Sequence, residues 1–289
     1  MSKKFDAVLP ITLKDLERAK ILLKTCSCFF EDLETLWIVV PDKAINDVKT
    51  ALRFEKVEII GESDLVPEFR IHRFMEGWFK QQLIKLAIAE RITNDFYITL
   101  DADVLCVQKI KYEKLIENGR AICQIALPGT HEKWYSWAEK VLEVSKSGRE
   151  HGVTPAVISR EAVLSLFGFL KNKTNPVFQS IAKVFPEESL LRNYLQGHRG
   201  FLARSLPWTE YALYYTFLEA MNLFDTYHVA KPPESVYSNC IWWKDRNEFG
   251  NWEPIKSFGK DANFFFSIIQ SNTDIMPEQI LHKIEDYIN

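Results

Sequence analysis

Residues 97–104 read Tyr97-Ile98-Thr99-Leu100-Asp101-Ala102-Asp103-Val104, an apolar run that ends in two alternating carboxylates. The first four residues have the composition of a buried parallel strand. In an open α/β sheet, ligands bind beyond the carboxyl ends of the strands. Two aspartates separated by a small residue can face one hard cation, and that cation can hold a diphosphate. The stretch predicts a site for Mn²⁺ or Mg²⁺ at Asp101 and Asp103, with a solvated turn as the alternative.

Strand-like and helix-like segments alternate before this stretch. The β-α-β-α-β-α-β order predicts an α/β fold with a Rossmann-like, mostly parallel central sheet flanked by helices. Apolar residues recurring every three to four positions indicate the helices. The predicted elements are strand 6–11, helix 15–30, strand 35–40, helix 42–53, strand 57–60, helix 78–92 and strand 97–100.

The second half of the chain is less regular. We find no repeat or linker, so we expect a single domain over 1–289, with one half over about 1–107 and an elaborated half over about 108–289. The predicted strands there are 121–125, 153–158 and 264–271, and the predicted helices are 134–144, 160–170, 187–195, 210–222 and 277–287.

Composition excludes several classes of function. The net charge of −3 gives no electrostatic basis for a nucleic-acid partner. Five cysteines, an odd number, indicate reduced thiols in a cytoplasmic protein. The first residues do not form a signal peptide, and no apolar run approaches the ~20 residues of a transmembrane segment. We therefore expect a cytoplasmic location, with only peripheral contact to the inner membrane.

Several common enzyme motifs are also missing from the sequence. No glycine-rich loop follows the first strand, which disfavours Rossmann dehydrogenases and P-loop NTPases. No Gly-x-Ser-x-Gly elbow is present, which disfavours α/β-hydrolases. Two other functions stay open for this α/β fold. One is a nucleotidyltransferase acting on sugar phosphates, and the other is a catalytically inactive carbohydrate-binding protein.

The order of elements, with Asp-X-Asp after the fourth strand, resembles the GT-A fold of nucleotide-sugar-dependent glycosyltransferases. The segment 77–86, Gly-Trp-Phe-Lys-Gln-Gln-Leu-Ile-Lys-Leu, and the later Trp208-Thr209-Glu210-Tyr211 are similar to a bacterial group with a DUF6492-like pattern. The resemblance implies metal-dependent transfer of a sugar from a nucleotide-sugar donor to a saccharide or lipid-linked saccharide acceptor, in polysaccharide or glycolipid biosynthesis. The first half would bind the donor and the second half the acceptor.

The resemblance also implies donor-site residues. Pro10 and Thr12, in the loop after the first strand, would hold the nucleotide base and ribose. Asp103 would ligate the cation directly, while Asp101 would face the ribose or a metal-bound water.

A helix face offers further donor-site candidates. Gln82 and Lys85 lie three residues apart and so share one face of the helix before the motif strand. Lys85 could pair with Asp101 or with a donor phosphate, and the amide of Gln82 could hold sugar hydroxyls. A solvated helix face is the alternative.

The second half supplies candidates for the acceptor and for catalysis. Glu210 is interpreted as the general base for the acceptor hydroxyl, or as a helix-dipole stabiliser in the first turn of its helix. Trp208 would offer a stacking face to the acceptor, and Thr154 would contact it from a strand. His228, ahead of His198, is the candidate third metal ligand, with a packed histidine as the alternative.

Overall fold

The computed structural model describes residues 3–70, 77–145, 149–172 and 208–288. The predicted helix over 187–195 and the candidate His198 lie outside these residues. The strands are β1 (Phe5–Pro10), β2 (Leu33–Val40), β3 (Val57–Gly61), β4 (Phe96–Thr99), β5 (Val104–Cys106), β6 (Ile116–Glu117), β7 (Arg120–Gln124), β8 (Ala156–Ser159), β9 (His228–Lys231) and β10 (Phe266–Ile268).

Helices separate most of these strands. The α-helices are α1 (Leu16–Phe29), α2 (Ile45–Ala51), α3 (Glu62–Leu65), α4 (Gly77–Ala87), α5 (Tyr112–Leu115), α6 (Glu132–Leu142), α7 (Arg160–Asn172), α8 (Glu210–Ala220), α9 (Phe224–Tyr227), α10 (Ile255–Phe258) and α11 (Pro277–Ile284). Among the described residues, none of the helices is both long enough and apolar enough to cross a bilayer.

The central sheet has the strand order β3-β2-β1-β4-β8. The first four strands are parallel, and β8 runs antiparallel to β4. The predicted α/β class with a mostly parallel sheet flanked by helices is therefore confirmed. Because parallel strands end at the same edge, the loops after β1, β2 and β4 share one side of the molecule.

Two smaller sheets involve strands of the second half. Strands β5 and β10 pair antiparallel, and β9 lies parallel to β7 in a sheet with the order β6-β7-β9. The sequence did not indicate β5, β6 or β9, which have four residues or fewer. The strand predicted over 153–158 begins only at Ala156, because Pro155 has no N–H to contribute to a ladder.

The core consists of two apolar layers, one on each face of the central sheet. Successive residues of a strand point to opposite faces, and both faces of β1 are buried. Val8 faces a layer built with α4, α6, α7 and α8, while Ala7 and Leu9 face a layer built with α1 and α2. The helix α4 is thereby packed on the sheet beside β4, which positions its polar residues at the carboxyl edge.

Candidate functional site

A cavity of about 710 Å³ opens at the carboxyl end of β4. It lies between the Asp-X-Asp stretch, helix α4, the beginning of α8 and loops of the second half. The predicted site residues that line it are Gln82, Lys85, Asp101, Asp103, Thr154 and Glu210. The structure thus brings together candidates from distant parts of the sequence.

Lys85 is the centre of this cavity. Lys85 is only 2% exposed, and its ammonium lies 2.7 Å from Asp101 Oδ1 and 2.9 Å from Glu210 Oε1. It also donates to Thr154 Oγ1 at 3.0 Å and to Tyr211 OH at 3.4 Å. The predicted pairing of Lys85 with Asp101 is confirmed, and the solvated helix face is wrong, because the second half of the chain covers this side of α4.

Local structure explains how Glu210 reaches Lys85. Thr209 is the N-cap of α8 and accepts a hydrogen bond from Ala212 N at 3.1 Å. The backbone N–H of Glu210 donates to Gln82 Oε1 at 3.3 Å. The first turn of α8 is therefore seated on α4, and the buried Gln82 acts there as an acceptor.

Tyr211 and two threonines form a hydroxyl cluster beneath Lys85. Tyr211 OH lies 3.0 Å from Thr99 Oγ1 and is also hydrogen-bonded to Thr154 Oγ1. Thr99 is the last residue of β4, so the cluster joins the motif strand to α8. Tyr97 OH adds a further bond from β4, donating to the backbone oxygen of Lys85 at 2.8 Å.

The charges in this network compensate one another. Burial disfavours the ammonium of Lys85, but the carboxylates of Asp101 and Glu210 outweigh burial and hold its pKa well above its usual value. Burial raises the pKa of Glu210, and Lys85 opposes that rise. Glu210 is 1% exposed, so the surrounding protein shields both of its carboxylate oxygens from solvent. Hydrogen bonds with Lys85 and Tyr211 favour the ionised form of this carboxylate.

Asp103 lies beside this network, in the turn directly before β5. Its Oδ2 accepts a hydrogen bond from Ser271 N at 2.9 Å. Burial, followed by repulsion from Asp101, raises the pKa of Asp103 to about 6. The two neighbouring carboxylates repel each other, and a cation bound between them would relieve that repulsion.

The two aspartates do not form a complete metal cage. In the part of the chain that the structure describes, no group of three or more His, Cys, Asp or Glu side chains could hold a metal ion. Mg²⁺ is commonly bound by one or two carboxylates, with substrate phosphates as its other ligands. The hard oxygen donors of Asp101 and Asp103 fit such a shared site for Mg²⁺ or Mn²⁺.

A second cavity, of about 760 Å³, lies at the carboxyl ends of β1 and β2. The donor candidates Pro10 and Thr12 line it, together with Asp42. Thr12 N and Oγ1 both donate to Asp15 Oδ2, at 2.8 and 2.9 Å, which closes the turn after β1. Helix α4 lines both cavities and forms a wall common to them.

Trp208 and His228 lie outside the first cavity. Trp208 is fully buried and packs edge-on against Phe79, with ring centroids 5.2 Å apart. His228 begins β9 and is also fully buried, with its Nε2 2.8 Å from Tyr214 OH. Both side chains belong to the apolar layer around α8, since nearly every residue of this helix is covered.

The structure adds aromatic residues that the sequence did not single out. The rings of Trp78, Trp134, Tyr237 and Trp242 all line the first cavity. Of these four, only Trp78 belongs to a segment that carries the family resemblance, residues 77–86. The others follow no motif, because isolated aromatic residues in loops and at helix starts have no distinguishing period.

Comparisons with known proteins give a family and one structural likeness. The model of the family described as "Family of unknown function (DUF6492)" matches residues 2–289. No curated protein matches the chain. Among solved structures, the crystal structure of mouse xyloside xylosyltransferase 1 in its apo form is similar, with a TM-score of 0.48 and 13% identity. The match covers 94% of this chain and 100% of that chain.

Replacing Lys85 tests the buried ion pairs. Lys85→Met leaves Glu210 buried without its cation, so we expect the free energy of unfolding to fall by about 3–5 kcal/mol. The double variant Lys85→Met/Glu210→Gln should recover part of this loss, because the amide carries no charge. Urea denaturation at neutral pH measures both effects. Lys20→Met, which removes an exposed pair, should cost less than about 1 kcal/mol. A double variant no more stable than Lys85→Met would contradict the pairing.

The buried His228 should make stability depend on pH. Burial, and then the neighbouring His151, lowers the pKa of His228 from 6.5 to about 3. Below about pH 6.5 the unfolded chain therefore binds more protons at this residue than the folded protein does. The free energy of unfolding consequently decreases as the pH is lowered. Between about pH 6 and pH 4, the parent should lose about 1.4 kcal/mol per pH unit more than His228→Gln. Urea denaturation across this range measures the difference, and a constant offset between the two proteins would contradict it.

Proposed function

This chain belongs to the DUF6492 family of unknown function, and from its site we propose that it is a glycosyltransferase of the GT-A type. It would move a sugar from a nucleoside-diphosphate donor to a hydroxyl of a saccharide or lipid-linked saccharide acceptor. One observation carries the proposal. Asp101 and Asp103 follow the motif strand and line the same cavity as a buried Lys85–Glu210 pair.

The donor end of the cavity suits a diphosphate with a divalent cation. Asp101 and Asp103 would hold Mn²⁺ or Mg²⁺, with phosphate oxygens as the other ligands. A cation held there would supply charge stabilisation for the leaving nucleoside diphosphate. The nucleoside end of the donor would lie in the second cavity, beside Pro10 and Thr12, across the wall formed by α4.

Glu210 suits the part of general base. Glu210 lines the same cavity as the aspartates, and its carboxylate is paired with Lys85. As the acceptor oxygen bonds to the anomeric carbon, the bond from that carbon to the diphosphate oxygen breaks. The acceptor proton passes to Glu210. Burial raises the pKa of Glu210, which makes it a better base than an exposed carboxylate, and Lys85 keeps it ionised.

The remaining functional expectations extend this proposal. A cytoplasmic enzyme of bacterial polysaccharide or glycolipid biosynthesis would meet nucleotide sugars in its own compartment. A lipid-linked acceptor would require only peripheral contact with the membrane. His228 contributes no ligand in this scheme, because a buried neutral imidazole bonded to Tyr214 already has its place in the core.

A donor panel tests the proposal directly. With Mn²⁺ present, we expect the parent to release the free nucleotide from one member of a series of UDP-, GDP- and CMP-sugars. Asp103→Asn keeps an acceptor for Ser271 N but removes the charge, and it should abolish metal-dependent nucleotide binding in calorimetry. Asp47→Ala, an exposed site on α2, is the matched control and should bind as the parent does. In a parallel assay, release of pyrophosphate from a nucleoside triphosphate and a sugar 1-phosphate would indicate a nucleotidyltransferase instead.

Glu210→Gln separates binding from transfer. We expect the variant to bind donor with the parent affinity and to transfer sugar roughly 10²-fold more slowly, since a positioned base contributes about that factor or more. Glu278→Gln is the matched control, because Glu278 is an exposed carboxylate in the first turn of α11, outside the cavity, and this variant should transfer at the parent rate. Transfer rates come from chromatography of the products. A Glu210→Gln enzyme with the parent rate but a lower melting temperature would show that Glu210 only stabilises the helix start.

A further inference from the structure

A stacked pair of aromatic rings lies on the wall of the first cavity that the second half of the chain provides. The rings of His131 and Trp134 are stacked, with centroids 4.9 Å apart and an interplanar angle of 12°. His131 is the N-cap of α6, and Trp134 follows in its first turn. Both residues line the cavity that contains Asp101 and Glu210. We call this pair the aromatic platform.

The aromatic platform is held in place by a buried carboxylate. Glu150 is only 4% exposed, and its oxygens accept hydrogen bonds from Gly129 N at 3.0 Å and from His131 N at 2.6 Å. Trp134 N in turn donates to His131 O at 2.9 Å. The loop before α6 is thus fixed from behind, so the two rings need no reordering when a ligand binds. A surface that is ordered in advance loses less entropy on binding.

The charges of the cavity restrict what can lie on the platform. Among the described lining residues, four are acidic (Asp101, Asp103, Glu210 and Glu234) and two are basic (Lys85 and Lys244). Lys85 is already paired with two of the acids. Burial lowers the pKa of His131, so the platform itself adds no positive charge near neutral pH. An anionic acceptor would therefore meet repulsion that a neutral one avoids.

We propose that the aromatic platform binds the acceptor, and that the acceptor is an uncharged saccharide whose ring stacks on Trp134. This inference rests on the proposed function. One face of a pyranose carries C–H groups that pack against the negative face of an indole ring. The remaining hydroxyls point into a polar cavity, where one of them would meet Glu210. An acyl chain fits less well, because it would bury the nearby carboxylates against hydrocarbon.

A glycan array compares the parent with three variants. Labelled protein is applied, with UDP or GDP and Mn²⁺, to printed neutral and acidic oligosaccharides. We expect the parent to bind neutral members, Trp134→Ala to bind them about fivefold to tenfold more weakly, and Trp134→Phe to retain most of the affinity. Trp243→Ala is the matched control, since Trp243 is 53% exposed and lies outside the cavity lining. Calorimetry should show the same nucleotide affinity for all four proteins.

Three outcomes would contradict the proposal that the aromatic platform binds an uncharged saccharide. These are binding confined to acidic glycans, no glycan binding at all, or neutral binding that Trp134→Ala and Trp134→Phe leave unchanged. Binding to vesicles of phosphatidylethanolamine and phosphatidylglycerol that falls in Trp134→Ala, without glycan binding, would assign the platform to lipid instead. In each case intact nucleotide binding shows that the proposed function survives. If the parent binds neither UDP nor GDP with Mn²⁺, the proposed function fails and this inference fails with it.

Discussion

The buried ammonium of Lys85 is the interaction on which the site depends. Its two carboxylate partners come from the end of β4 and from the first turn of α8, and its hydroxyl partners come from α8 and from the loop before β8. A buried cation is costly unless charges and hydrogen bonds surround it. The three elements must therefore converge for Lys85 to be tolerated, and their convergence creates the cavity.

A second polar cluster supports the same arrangement from the far end of α8. Glu219 lies 3.2 Å from His151 Nε2 and 2.8 Å from Arg149 Nε. The segment that contains Arg149 and His151 continues to Thr154, which contacts Lys85. Helix α8 is thus attached at both ends to one short segment, and the position of Glu210 is set by contacts at both ends of the helix.

Much of this arrangement could be predicted from local sequence patterns. Alternating apolar runs and helical periods located the four parallel strands and the helices between them. The end of the motif strand located Asp101 and Asp103, and the three-residue spacing placed Gln82 and Lys85 on one helix face. The start of α8 at Glu210 also followed from the sequence, because a helix start depends on residues that are close in the chain.

Local sequence patterns did not predict which aromatic residues line the cavity. Trp208 lies beside Glu210 in the sequence, yet it packs inside the core, while Trp134, with no motif around it, faces the cavity. Helix α8 is buried on almost every side, so its sequence has no polar face to indicate which residues point inward.

The sequence by itself determined the fold class, the strand that precedes the two aspartates, and the lysine, Lys85, whose charge can balance that of Asp101. Tertiary structure alone decided that β8 would be antiparallel, that Lys85 would pair with Glu210 as well as Asp101, and that His228 would be neutral in the core. The physical reason is the range of the interactions. Helix and strand patterns arise between residues close in the chain, whereas the burial and the charge of a side chain depend on elements that meet only when the chain has folded.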